Sequence, residues 1–344
     1  MDRNLTGPLA GLTVIELGGI GPAPFCGMLL ADLGARVIVV MRAQRALRPV
    51  LDRGKEAIVA NLKDRADLRR VKDLIADADA VIEGFRPGVL ERLSLGPDVL
   101  SQLNPALVLG RITGFGRSGP LSDRAGHDIN YIALSGVLGA IGRPGERPVP
   151  PLNLVGDFGG GALLLAFGVV AALLRGRTTG VGEIVDAAMI DGSALLMNMI
   201  YEFHGTDRWA GERGHNLLDG GAPFYDTYTC ADRGYMAVGA VEPQFFRVLV
   251  EGLGLDDTVD LHRQNDPGYW PELREHFASA FSRHPRAHWE LVFHDQDACV
   301  TPVLDLDEVS AHSHNVARKT FSTNGNITAA APAPRFSPLS SHTD

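Results

Sequence analysis

A short apolar run, Leu12-Thr13-Val14-Ile15-Glu16-Leu17, breaks into Gly18-Gly19-Ile20-Gly21-Pro22 and then into a helical pattern, Ala23–Leu33. Strand, glycine turn and helix open a parallel α/β sheet. Val37–Val40, Ile58–Ala60, Ala80–Ile82 and Leu107–Arg111 read as further strands, with a charged helix from Asp64 to about Ala76 between the third and fourth. Such strands are apolar at nearly every position because helices cover both faces of the sheet. The glycine turn is only part of a dinucleotide fingerprint. Gly19-Ile20-Gly21 supplies two glycines, Pro24 stands where the third belongs, and Met41-Arg42 ends the second strand in place of an acidic residue. That argues against a nicotinamide dinucleotide.

Cations gather after the strands instead: Arg42, Lys63, Arg86 and Arg92. Open parallel sheets bind ligands at the carboxyl ends of their strands, and guanidinium groups suit phosphate oxygens. These residues read either as a phosphorylated-ligand site or as solvated surface charge. The net charge of −9 argues against a nucleic-acid surface. Three cysteines, Cys26, Cys230 and Cys299, are far apart and form no disulfide or CxxC pattern, as expected of a reducing compartment. Met1–Ala10 has no apolar core of the signal-peptide kind, and Ser341-His342-Thr343-Asp344 is no peroxisomal tripeptide. The longest apolar run, Ala162–Leu174, is short for a bilayer and reads as a core helix. The expectation is a soluble, cytoplasmic protein with no membrane or nucleic-acid partner. With 344 residues, two domains are expected.

Further along, Gly159–Arg175 and Val185–Phe203 read as helices. From about Gly205 the character changes. Tyr225–Cys230 and Tyr235–Ala240 alternate like strands around an Asp232-Arg233-Gly234 turn, and Glu242-Pro243 starts a helix running to about Gly252. Helices follow near Trp270–Phe281 and Arg286–Phe293, and Thr328–Ser340 reads as an extended return strand or tail. This is a smaller α+β domain.

Chemistry concentrates in Gly126–Asp157. Gly126-His127-Asp128-Ile129-Asn130-Tyr131 opens it and Asp157 closes it, directly before the Gly159–Arg175 helix. His127 titrates near neutrality, at an ordinary pKa of about 6.5, and with a carboxylate partner can take and return a proton. Backbone N–H groups at a helix start can hold a developing oxyanion. The bland readings stand beside these: an N-cap for Asp157 and a structural hydrogen-bonding histidine for His127. His204, Asp207 and His215 have no metal-ligand spacing, His294-Asp295-Gln296-Asp297 reads as a solvated turn, and no serine nucleophile elbow occurs.

Five segments resemble the family III CoA-transferase superfamily. They are Gly11–Leu17, Ala31–Ala35, Glu83–Gly88, Gly114–Pro120 and Val185–Met189. Gly126–Tyr131, Pro148–Gly161, Leu218–Pro223 and Gly239–Phe245 resemble its α-methylacyl-CoA racemase branch. The resemblance implies a large Rossmann-like parallel-sheet domain plus a smaller α+β domain in an interlocked homodimer. The large domain would span residues 1–185 with a return at 326–344. A linker helix and crossing segment would occupy 186–222, the small domain 223–310 and the return linker 311–325.

The resemblance also implies roles. His127 and Asp157 match the two acid/base residues, on opposite sides of the substrate α-carbon. Glu242 matches the carboxylate that pairs with the histidine from the other subunit. Arg42, Ala60, Asn61, Leu62, Lys63, Gly84, Phe85, Arg86, Arg92, Gly126, Asp128, Ile129, Asn130 and Tyr131 match positions that contact CoA. The implied reaction inverts a 2-methylacyl-CoA thioester at its α-carbon through an enolate held by backbone N–H near Asp157, with no metal or redox cofactor. Two alternatives remain. One is a CoA-transferase with Asp128 as nucleophile, although Ile132 replaces the glutamine common to transferases and the longest glycine run is Gly159–Gly161. The other is a non-catalytic acyl-CoA-binding homologue.

Overall fold

The computed structural model describes residues 7–209 and 211–339. The chain divides into two compact units. The larger comprises the residues up to Leu138, Pro150–Asn198 and those from Lys319 on; the smaller comprises Gly139–Val149 and Met199–Arg318.

The larger unit is built on a six-stranded parallel sheet. Its strands are β1 (Thr13–Leu17), β2 (Arg36–Met41), β3 (Glu56–Val59), β4 (Ala80–Glu83), β5 (Val108–Thr113) and β6 (Ile184–Ala188), in the order β3-β2-β1-β4-β5-β6. This is the doubly wound order, and it reverses direction beside β1. Alternate residues feed two cores. Val14, Val37, Ile82, Val108 and Ile112 pack on one face, with helix α1 (Pro22–Asp32) and the Leu164–Thr179 helix. Ile15, Leu17, Ile38, Val40, Val81 and Leu109 pack on the other, with α2 (Arg65–Ala76), α3 (Val89–Arg92) and α4 (Pro97–Leu103). Burial on both sides explains why these strands carry almost no alternation.

Two expectations for this unit are corrected. Val185–Phe203 is not one helix. Its first residues form β6, which pairs with β5 from Leu109↔Ile184 to Thr113↔Ala188. Helices Met189–Leu196 and Asn198–Gly205 come only after it. The Ala- and Met-rich composition favours helix, but a free sheet edge supplies five register pairs and overrides that preference. The helix expected from Gly159 begins earlier, as a π-helical segment, Leu154–Leu163, that runs into Leu164–Thr179. Asp157 therefore lies inside the first turn, and Asn153 takes the capping position.

Leu154–Thr179 spans 26 residues and is apolar enough, by length and composition, to cross a membrane. In the unit it is a core helix along one stripe only. Leu165, Val169, Ala172 and Leu173 are buried, while Phe167 and Leu174 are 74% and 70% exposed. After Lys319 the chain forms an antiparallel hairpin, β10 (Phe321–Asn324) with β11 (Ile327–Ala330), and the expected extended return from Thr328 begins within β11. Arg53 donates to the Ala330 carbonyl at 2.7 Å, tying the hairpin to the loop before β3. The last five residues of the expected return, Ser340–Asp344, lie outside the described residues.

The smaller unit has a three-stranded antiparallel sheet ordered β7-β8-β9. The strands β7 (Tyr225–Thr229) and β8 (Tyr235–Gly239) are the two expected, and β9 (Val300–Val303) pairs with β8. The Pro243–Gly252 helix starts as read, with Glu242 at its N-cap and Pro243 in its first turn. Phe224, Phe246, Phe277 and Phe281 fill its core against β7 and β8.

Candidate functional site

The turns after β1 to β5 all lie at the carboxyl ends of the sheet strands, on both sides of the point where strand order reverses. Two cavities open there. The first, of about 610 Å³, is lined by the Gly18-Gly19 turn, Arg42–Arg45 after β2, Ala60–Lys63 after β3, and Phe85, Val89 and Leu93. It combines an apolar floor with cationic groups, as a phosphorylated nucleotide requires. The second, of about 500 Å³, is lined by Gly84–Pro87 after β4, the Gly114-Phe115 turn after β5, Gly126, His127, Tyr131, Asn153 and Asp157. Phe85 borders both.

Two ionic clusters, each with a buried centre, hold the segments that line these cavities. Behind the first, Lys55 Nζ donates to Glu16 Oε2 at 2.6 Å and to the Pro24 carbonyl at 2.8 Å, with all three groups buried. Asp52, beside Lys55, accepts from Arg48 at 2.6 Å and Arg45 at 3.0 Å. The cluster joins α1 to the loop that carries Arg42–Arg45. Burial pushes the Glu16 carboxyl up, with Lys55 opposing. Behind the second, Arg111 on β5 bonds Glu83 at 2.7 Å and Glu91 at 2.8 Å. Glu83 in turn accepts the Phe85 N–H at 2.6 Å, which orients the Gly84–Arg86 turn. Hydrogen bonds from Arg111 hold Glu91 down to about 2.

His127 and Asp157 come from two helix starts. His127 is the N-cap of α5 (Asp128–Leu134), and its N–H donates to the Asn130 side chain at 3.0 Å. Asp157 occupies the first turn of the π-helical segment. The Asn153 amide donates to its Oδ2 at 3.2 Å. Burial raises the Asp157 pKa; the Asn153 hydrogen bond opposes this, the Asp128 charge adds to it, and His127 opposes it. Tyr131 donates to the Gly126 carbonyl, and its ring lies where a Cβ on Gly114 would fall 2.2 Å away, so only glycine fits the turn after β5. Burial, and then the Asp157 charge, raise the Tyr131 hydroxyl.

Arg42, Ala60, Asn61, Leu62, Lys63 and Phe85 are gathered in the first cavity; Gly84, Phe85, Arg86, Gly126, His127, Tyr131 and Asp157 in the second. Arg92, Asp128, Ile129 and Asn130 line neither cavity. Arg92 is exposed near the end of α3, and Ile129 is an exposed apolar residue of α5. Asp128 is 5% exposed, and its Oδ2 accepts the Asp157 N–H at 2.7 Å. That donor is therefore engaged and not open to an oxyanion. Glu242 belongs to the smaller unit. The sequence reading missed Asn153. Its spacing to Asp157 carried no signal while the helix was expected only from Gly159; it does so once the segment is seen to start at Leu154.

Comparison with known proteins adds the family. The model of CoA-transferase family III matches residues 9–344. An alpha-methylacyl-CoA racemase of Mus musculus is 47% identical over 97% of this chain and 87% of its own. Its Homo sapiens counterpart is 47% identical over 92% of this chain and 83% of its own. An acetyl-CoA:oxalate CoA-transferase of Acetobacter aceti is 30% identical over 93% and 87%. Among solved structures, a CAIB/BAIF family protein from Brucella suis superimposes with a TM-score of 0.79 at 24% identity, over 96% of this chain and 93% of that one, and so shares the fold. A match along nearly the whole chain, from residue 9 to residue 344, means that this protein belongs to CoA-transferase family III.

Proposed function

We propose that this protein racemises 2-methylacyl-CoA thioesters at the α-carbon, with His127 and Asp157 as the two proton-transfer groups. The observation that carries the reading is that these two side chains line one cavity while Asp128 lies outside it. The racemases at 47% identity, against 30% for the transferase of Acetobacter aceti, support it independently.

In this reading the nucleotide end of CoA occupies the first cavity, near Arg42 and Lys63, and the thioester reaches past Phe85 into the second. One of His127 and Asp157 removes the α-proton and the other returns one to the opposite face. The enolate oxygen is held by backbone N–H groups at the start of the π-helical segment other than that of Asp157. A raised Asp157 pKa narrows the gap to the weakly acidic thioester α-proton. No cofactor enters the scheme.

Glu242 completes the scheme as the histidine's carboxylate partner, supplied by a second subunit in a homodimer. The exposed apolar side chains of Leu163, Phe167 and Leu174 on one core helix support a covered surface. The chemistry is tested by incubating the protein with one enantiomer of a 2-methylacyl-CoA in D2O, with and without a carboxylate acceptor. Gain of one α-deuteron with loss of optical activity, independent of acceptor, is expected. Movement of CoA to the acceptor without exchange would sink the reading in favour of a transferase. Tight acyl-CoA binding with neither reaction would leave a binding homologue.

A further inference from the structure

We propose that Asp128 is a positioning residue, a clamp that joins the two helix starts carrying His127 and Asp157 and so sets the spacing of the two proton-transfer groups. The proposal rests on the racemase reading. Asp128 is the first residue of α5, immediately after the His127 cap. Its Oδ2 accepts the backbone N–H of Asp157, 29 residues away in sequence, at 2.7 Å. One short side chain thus spans from the residue next to one proton-transfer group to the peptide of the other.

The clamp is built, not incidental. Asp128 is buried, and its Oδ1 is buried without a hydrogen-bond partner among the described residues. A carboxylate held inside with half its acceptor capacity unused is costly, and a role in fixing the backbone accounts for its place. The Asp157 side depends on it equally. A Cβ on Gly156 would fall 2.7 Å from Asp128 Oδ2, so the approach needs glycine at that position. Asp128 is buried and lines neither cavity, which separates it from the nucleophile that the transferase alternative requires.

The clamp also carries charge. Burial raises the Asp157 pKa and the Asp128 charge raises it further, while the Asn153 amide and His127 oppose. Tyr131 faces the same groups: burial raises its hydroxyl, the Asp157 charge adds to this, Arg86 opposes it and Asp128 adds again. Geometry and charge can therefore be separated by three substitutions. Asp128→Ala removes both. Asp128→Asn keeps an acceptor oxygen and removes the charge. Gly156→Ala pushes the acceptor away and keeps the charge.

The experiment measures kcat, KM and the pH profile of α-deuteron incorporation from each enantiomer. A displacement near 1 Å costs about 100-fold in rate. Asp128→Ala and Gly156→Ala should each lose about that factor in kcat for both enantiomers, with KM little changed. Asp128→Asn should keep kcat near that of the wild type, with its acidic limb moved to lower pH. Wild-type kcat in Asp128→Ala, equal loss in the Asn and Ala variants, or a rise in KM alone would overturn the proposal. So would hydroxylamine capture of an acyl group on Asp128. Wild-type protein that exchanges no α-proton would overturn the racemase reading instead. The clamp is then decided by the hydrogen-exchange protection of the Asp157 amide, kept in Asp128→Asn and lost in Asp128→Ala if it is correct.

Discussion

The two cavities at the strand ends have opposite constructions. The first is lined by long cations on loops, Arg42, Arg45 and Lys63, and is backed by the buried Lys55–Glu16 pair. The second also holds Arg86 and Arg124, but it adds short groups on helix starts, His127, Asn153 and Asp157, crowded by glycines and the Tyr131 ring. Binding a charged nucleotide tolerates side-chain freedom, because a guanidinium or ammonium finds phosphate oxygens over a range of poses. Moving a proton across a carbon does not, because rate depends steeply on the placement of each group. Loops therefore suit the first task and helix termini tied by backbone hydrogen bonds the second.

The comparison breaks most sharply at the two proposed proton-transfer groups. His127→Ala and Asp157→Ala should each lower the inversion rate by 10²–10⁴-fold or abolish it. Acyl-CoA binding, followed by calorimetry, should change little, since the cations of the first cavity are intact. Loss of binding in step with rate would mean that the two cavities do not divide the work.

The next effect is on stability. Lys55→Met leaves Glu16 buried without its cation and should cost about 3–5 kcal/mol, read from denaturant unfolding. The loss should shrink as pH falls, because a protonated Glu16 has no charge to bury. The sign agrees with the raised Glu16 pKa, a carboxyl whose contribution to stability is present at low pH and lost as pH rises through the folded value. Replacing both residues, Lys55→Met with Glu16→Leu, should restore much of the stability.

A smaller effect is expected on binding. Arg42→Ala or Lys63→Ala removes a charge-assisted contact worth about 1.5–3 kcal/mol. KM for acyl-CoA should rise by about tenfold or more while kcat holds. A fall in kcat without a change in KM would place those residues with the chemistry instead.

The smallest is a pH shift. Asn153 lowers a carboxyl that burial raises, so Asn153→Ala should move the Asp157 limb of the pH–rate profile upward. An unmoved limb would mean that the 3.2 Å hydrogen bond does not form in solution.

Much of the large unit is legible in the sequence because its signals are local. Leu12–Leu17, Gly18–Pro22 and the helix after them announce a parallel sheet, and Pro243 after Glu242 announces the Pro243–Gly252 helix. β6 was not legible. Its residues resemble the helix that follows them, and only the open edge of β5 makes them a strand. Asn153 was missed for a related reason: its role depends on the helix beginning before it was expected to.

What the sequence by itself determined is therefore the order of the first five strands and the strand-end cations, while the roles expected of His127 and Asp157 came with the family resemblance. The strands and the cations follow from period, turn chemistry and residue type, which are properties of neighbours in the chain. What only the tertiary structure decided is what Asp128 touches. By resemblance it reads as a CoA contact, and as a nucleophile only in the transferase alternative. Its carboxylate accepts the N–H of a peptide 29 residues away, at 2.7 Å. Such contacts are set by how the sheet packs its helices together, and no local pattern encodes them.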